Sequence, residues 1–87
     1  MNKLVKASYT IKNEEGLHAR PATDFCKTAG QFESDITVIK DGEEFEAKSI
    51  LMVLCMGAVK GDTIELVVNG KDENEALDAL IKTLDEE

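Results

Sequence analysis

The chain predicts an α+β fold, an open-faced two-layer sandwich in the order βαββαβα, with a four-stranded antiparallel sheet and three helices on one face. Three observations predict it. Four short segments alternate apolar and polar residues, as strands buried on one side do. Three others carry apolar residues at helical spacing or follow a helix cap. The 87 residues are enough for one small domain, 1–87, and too few for two. Strands wetted on one face suit an antiparallel sheet, whereas a doubly wound parallel sheet needs both faces covered and a longer chain.

Residues 4–11 place Val5, Ala7, Tyr9 and Ile11 on one face at period two, a half-buried strand. A polar loop with Gly16 comes next. The first helix is expected from about Ala19, with Pro21 in its first turn, where a missing N–H costs nothing. Ala22, Phe25, Cys26 and Ala29 recur at helical spacing, and Gly30 is the expected stop. Residues 32–40 read as a strand with Ile36 and Val38 inward. Asp41-Gly42 is a two-residue hairpin signal returning the chain through 43–47. Ser49 is placed to cap a short helix, residues 50–56, which Gly57 ends. Residues 63–69 alternate again, with Ile64, Leu66 and Val68 inward. Asp72 with Glu75 resembles a capping box before the stripe Leu77, Leu80, Ile81 and Leu84.

Charge narrows the function classes. Eighteen acidic against ten basic side chains leave a net charge of −8, which argues against nucleic acid and against an anionic membrane. Asp72, Glu73, Glu75, Asp78, Asp85, Glu86 and Glu87 crowd the last segment and read as a solvated helix face. Met1 to Lys6 contains no apolar run long enough for a signal peptide, and no stretch reaches a membrane span. A cytoplasmic protein with reduced cysteines is expected, Cys26 and Cys55 being small buried hydrophobes.

The chemistry concentrates in Gly16-Leu17-His18-Ala19-Arg20-Pro21-Ala22, which holds the only histidine of the chain. One imidazole without neighbouring ligands is no metal site, and no cofactor is implied. His18 falls just before a helix N-terminus, where free backbone N–H groups and the helix dipole favour a phosphate. Arg20 adds a planar cation matched to phosphate oxygens. Gly16 permits a sharp turn and close approach by a partner, while Ala19 and Pro21 shape a rigid helix start. The pattern points to His18 as a phosphoryl acceptor. The short helix is apolar all round over Ile50 to Met56, more than a thin core can bury. Ile50, Leu51 and Leu54 are therefore candidate partner contacts. Arg20, Lys27 and Lys48 are the candidate basic rim steering acidic partners to His18.

The GLHARPA stretch, the Lys48-Ser49-Ile50 helix start and the element order together resemble the HPr family, the histidine-containing phosphocarriers of the bacterial phosphoenolpyruvate:sugar phosphotransferase system. The resemblance spans essentially the whole chain. It implies that His18 takes a phosphoryl group from phospho-enzyme I on Nδ1 and gives it to enzyme IIA domains, with Arg20 as the active-site arginine. It implies that Ser49 is the regulatory serine of an HPr kinase/phosphorylase, its phosphorylated form acting with a catabolite-control transcription factor. The region around Ile50 and Leu51 would meet these partners. Met52 stands where many Gram-positive relatives carry Gly, and Cys55 and Met56 stand where Ser and Leu are more usual. Glu15 replaces a small polar residue, and all four bear on partner recognition.

Two other readings use the same residues. One is a paralogous carrier in a nitrogen-related or dihydroxyacetone-kinase phosphorelay. The other is a regulatory protein acting only through Ser49, against which His18 argues, since regulatory paralogues of that kind lack the histidine. An autonomous enzyme is disfavoured, because the chain offers no acid/base constellation and no nucleotide loop. A carrier must leave one partner for the next, so a monomer is expected.

Overall fold

The computed structural model describes residues 4–87; Met1, Asn2 and Lys3, which begin the segment read above for a signal peptide, lie outside it. The elements run as β1 (Leu4–Thr10), α1 (Ala19–Gly30), β2 (Asp35–Lys40), β3 (Glu43–Glu46), α2 (Ile50–Met56), β4 (Thr63–Asn69) and α3 (Glu73–Asp85). The strands make one antiparallel sheet in the order β1-β4-β2-β3. The last strand in sequence is thus central, with β1 on one side and β2 on the other.

Register builds the core. Pairing sets Ala7 and Val38 opposite Leu66, and Val5 and Ile36 opposite Val68. One face of the sheet is therefore apolar, and Ile36, Val38, Ile64, Leu66 and Val68 are fully or almost fully buried. Onto it α1 delivers Ala22, Phe25 and Ala29, and α3 delivers Ala76, Leu80 and Leu84. The Thr28 and Thr83 hydroxyls meet at 2.9 Å where the two helices touch. Phe25 is the largest fully buried side chain, and its loss to Ala costs about 3–5 kcal/mol.

Several sequence boundaries shift for identifiable reasons. Ile11 stays buried but leaves the β1 ladder, because its N–H and C=O turn to Asp62 and Gly61 at 2.9 Å. Phe32 to Ser34 stand outside β2, since the Glu33 and Ser34 amides donate at 3.0 Å to the Asp72 carboxylate. Ala47 lies just past β3, though its N–H still reaches the Ile36 carbonyl at 3.1 Å. Gly30 does not stop α1; it is the last helical residue, and Gln31 comes next in right-handed conformation. The Asp41-Gly42 turn has positive φ at both residues, 53° and 81°, as a hairpin of this kind requires.

The expected Asp72–Glu75 capping box is not formed. Asp72 reaches across to the loop before β2, where it also accepts the buried Ser34 hydroxyl. These donors hold its carboxyl below the usual range, Ser34 contributing most. The helix start is closed instead by Glu73, which is buried and accepts the Gly70 N–H at 3.0 Å. Gly70 must be glycine here, since an added Cβ would lie 2.6 Å from Ser34 Cα. Asp72 and Glu73 of the acidic run, and Asp85 through Tyr9 and Lys12, are thus structural ties rather than a solvated face.

The loop leading to α1 is fastened at two places. Gly16 has φ 68°, and an added Cβ would strike the Ala58 carbonyl oxygen and lie 2.8 Å from Val59 Cα. The Leu17 N–H donates to the same Ala58 oxygen at 2.9 Å, with Leu17 fully buried. The close approach that Gly16 permits is therefore made by the chain's own backbone, not by a partner. Further back, the Tyr9 hydroxyl donates to Asp85 at 2.7 Å, and the Lys12 ammonium pairs with the same carboxylate at 3.2 Å. Lys12 also lies 5.6 Å from the centroid of the Tyr9 ring.

Both fastenings can be tested. Gly16→Ala combines a left-handed backbone with a backbone clash, so urea unfolding is expected to show a loss of about 2–3 kcal/mol. The Tyr9 phenol is pushed up to about 12, by burial first and then by the Asp85 carboxylate. Because it is the only tyrosine and the chain has no tryptophan, an ultraviolet titration reads it directly. A midpoint near 12 is expected, falling toward the ordinary 10 in Asp85→Asn. The folded state prefers the protonated phenol, so stability is lost as pH rises above 10 toward that midpoint.

Candidate functional site

His18 is the residue before α1, with extended backbone (φ −143°, ψ 158°). Its imidazole caps no helical N–H and is exposed to solvent. The first turn of α1 contains no acidic residue, so no side chain of that turn opposes the helix dipole there. Pro21 is buried and anchors the turn against the core. Ala19 has φ 52°, in the left-handed region that side chains with a Cβ enter at a cost of about 1–2 kcal/mol. This bend sets the direction in which the chain passes from His18 into the helix.

Arg20 projects into solvent, its side chain 87% exposed. Its Nε lies 3.9 Å from Asp24 Oδ2, one turn further along α1. Lys27 lines a cleft with Asp24, Thr28, Gln31, Thr83, Glu86 and Glu87, so carboxylates interrupt the expected basic rim. Lys48 is exposed, but its ammonium donates to the Phe32 carbonyl at 2.8 Å and ties the approach to α2 to the end of α1. Sequence spacing identifies the positive charges. Glu86 and Glu87 reach them from just beyond α3, and spacing along α1 gives no sign of those acids.

Ser49 caps α2 as expected, its Oγ accepting the Met52 N–H at 3.3 Å, and Gly57 ends the helix in left-handed conformation. The helix buries Val53 and Met56. Ile50 and Leu51 are exposed, Leu51 at 71%, whereas Leu54 is half-buried against the core. Met52 and Val59 are exposed as well, and sequence reasoning missed them. Met52 belongs to a helix without an apolar–polar period, and Val59 to a loop, so neither carries a positional signal. Cys55 is exposed, against expectation; Cys26 is half-buried, and burial pushes its thiol up. Among the described residues no three His, Cys, Asp or Glu side chains are grouped to hold a metal ion, and no helix is long and apolar enough to cross a membrane.

Known proteins share this sequence and fold over most of the chain. A family model described as the PTS HPr component phosphorylation site matches residues 5–86. The HPr-like protein Crh of Halalkalibacterium halodurans is 39% identical over 84 residues, covering 97% of this chain and 100% of the relative. The phosphocarrier protein HPr of Neisseria meningitidis serogroup A is 43% identical over 77 residues, 88% of this chain and 86% of its own. An HPr crystal structure from Thermoanaerobacter tengcongensis superposes with a TM-score of 0.91 at 41% identity, covering 93% of this chain and 91% of that one. With sequence and fold matched from the first strand to the last helix, this chain belongs to the HPr family of phosphocarrier proteins.

Proposed function

We propose that the chain accepts a phosphoryl group on His18 from phospho-enzyme I and passes it to enzyme IIA domains during sugar uptake. The observation that carries this reading is the exposed imidazole at the start of α1, beside a free helix end and a solvent-facing guanidinium. In transfer, the donor's bond to phosphorus breaks as an N–P bond forms at Nδ1 of His18, with no change of oxidation state. Arg20 and the free N–H groups of the first turn stabilise the added negative charge. The bond is labile, which suits a group that must be handed on. The exposed apolar side chains Ile50, Leu51 and Met52 are the docking surface for partners, with Lys27 and Lys48 contributing steering charge.

A second role is regulatory phosphorylation at Ser49 by an HPr kinase/phosphorylase, linked to catabolite control through a transcription factor. The chain's likeness to Crh, the Bacillus subtilis catabolite repression HPr, favours it, and Ser49 stands where a phosphate meets a helix N-terminus. The exposed His18 favours the carrier over a protein acting through Ser49 alone, and the same chemistry serves a paralogous relay with other partners. The carrier acts in the cytoplasm and as a monomer, although an HPr dimer is among the solved relatives.

Incubation with phosphoenolpyruvate and a bacterial enzyme I is expected to add about 80 Da to the intact protein. The gain should be acid-labile, base-stable and absent in His18→Ala. No gain in the folded wild type would overturn the carrier reading. Ser49→Ala removes the α2 cap and is expected to lower stability by about 1 kcal/mol, read by urea unfolding, while leaving the His18 label in place.

A further inference from the structure

Arg20 faces solvent, yet it has one acidic neighbour on its own helix. Its Nε faces Asp24 Oδ2 at 3.9 Å along the flank of α1. Other acids lie close to Asp24. It shares a cleft with Lys27, Thr28 and Gln31 of α1 and with Thr83, Glu86 and Glu87 from the α3 end. Glu87 also lines the neighbouring cleft with Lys12, Asn13, Glu14 and Glu15, the loop that leads to His18. Burial raises the Glu87 carboxyl above its ordinary value, a hydrogen bond with Asp24 and the Asp24 charge raise it further, and Arg20 opposes them. Acids of α1 and of the residues after α3 therefore lie near the arginine, and Asp24 is the one whose carboxylate faces it.

We infer that Asp24 is a positioning residue for Arg20, holding the guanidinium on the flank of α1 in the unphosphorylated chain and yielding it when His18 is phosphorylated. The inference rests on the carrier reading above. A dianionic phosphoryl group offers Arg20 shorter, charge-assisted hydrogen bonds than the long contact to Asp24. Once Arg20 leaves, the Asp24 carboxylate faces a new anion without its partner. The contact that Arg20 gives up and the repulsion of the Asp24 carboxylate both raise the free energy of the phosphorylated form relative to a chain without that acid. Asp24 thereby keeps the phosphoryl group loosely held and ready to move on.

The test equilibrates wild type, Asp24→Asn and Asp24→Glu with a bacterial enzyme I in phosphoenolpyruvate/pyruvate mixtures and reads the phosphorylated fraction by intact mass. Asp24→Asn is expected to favour the phosphorylated form by about two- to fivefold at low salt, the worth of one exposed charge pair. Asp24→Glu is expected to match wild type. The gap should close near 1 M salt, where the screening length falls to about 3 Å. The Arg20 Nε–Hε resonance of the unphosphorylated protein should move in Asp24→Asn and not in Asp24→Glu, a response that a purely structural role would not give. Equal equilibria for wild type and Asp24→Asn at low salt overturn the inference, as does a gap that survives 1 M salt. A wild-type chain that takes no phosphoryl group overturns the carrier reading, and this inference with it.

Discussion

The site depends on one place where the chain's backbone meets itself. Gly16 sits against Ala58 and Val59 with no room for a Cβ, and Leu17 seals the contact with a hydrogen bond to the Ala58 carbonyl. That contact joins the loop before α1 to the segment after α2. His18 comes two residues later, so its position is set by a backbone junction rather than by hydrogen bonds of its own side chain. The imidazole caps no helical N–H and stays exposed to solvent.

A second tie governs the far end of the fold. Asp72 gathers the Glu33 and Ser34 amides and the Ser34 hydroxyl, while Glu73 turns back to Gly70. The start of β2, the end of β4 and the start of α3 are thereby locked in one cluster. The central position of β4 makes this possible: its neighbours on both sides are fixed by pairing, and α3 is launched directly from its end. The sheet face that carries α1 is thus a rigid platform, and the exposed residues of α1 and α2 stand on it.

The element order, the hairpin, the Ser49 cap and the His18 position are all legible along the chain, because each depends on local spacing or on turn chemistry. The features that escape such a reading depend on contacts distant in sequence. Asp72 and Glu75 match a capping pattern, yet Asp72 is drawn off by amides 38 and 39 residues away. The run Ile50 to Met56 has no polar face, so only tertiary packing decides that Leu54 turns inward while Met52 and Cys55 do not. Glu86 and Glu87 approach Lys27 from the last residues of the chain, which is why spacing along α1 suggests an unbroken basic rim.

The left-handed backbone at Ala19 has a consequence for how this sequence can drift. Position 19 is exposed and touches no core, so ordinary reasoning would leave it open to almost any substitution. Its φ closes it instead to β-branched residues and leaves room for small ones, with Gly, Asn and Asp the natural replacements. Glycine would relieve the strain but lose much of that gain to unfolded-chain entropy, so the two residues are nearly balanced there. Among descendants of this chain, a solvent-exposed site beside the histidine should therefore vary as narrowly as a buried one, for a reason that lies in the main chain alone.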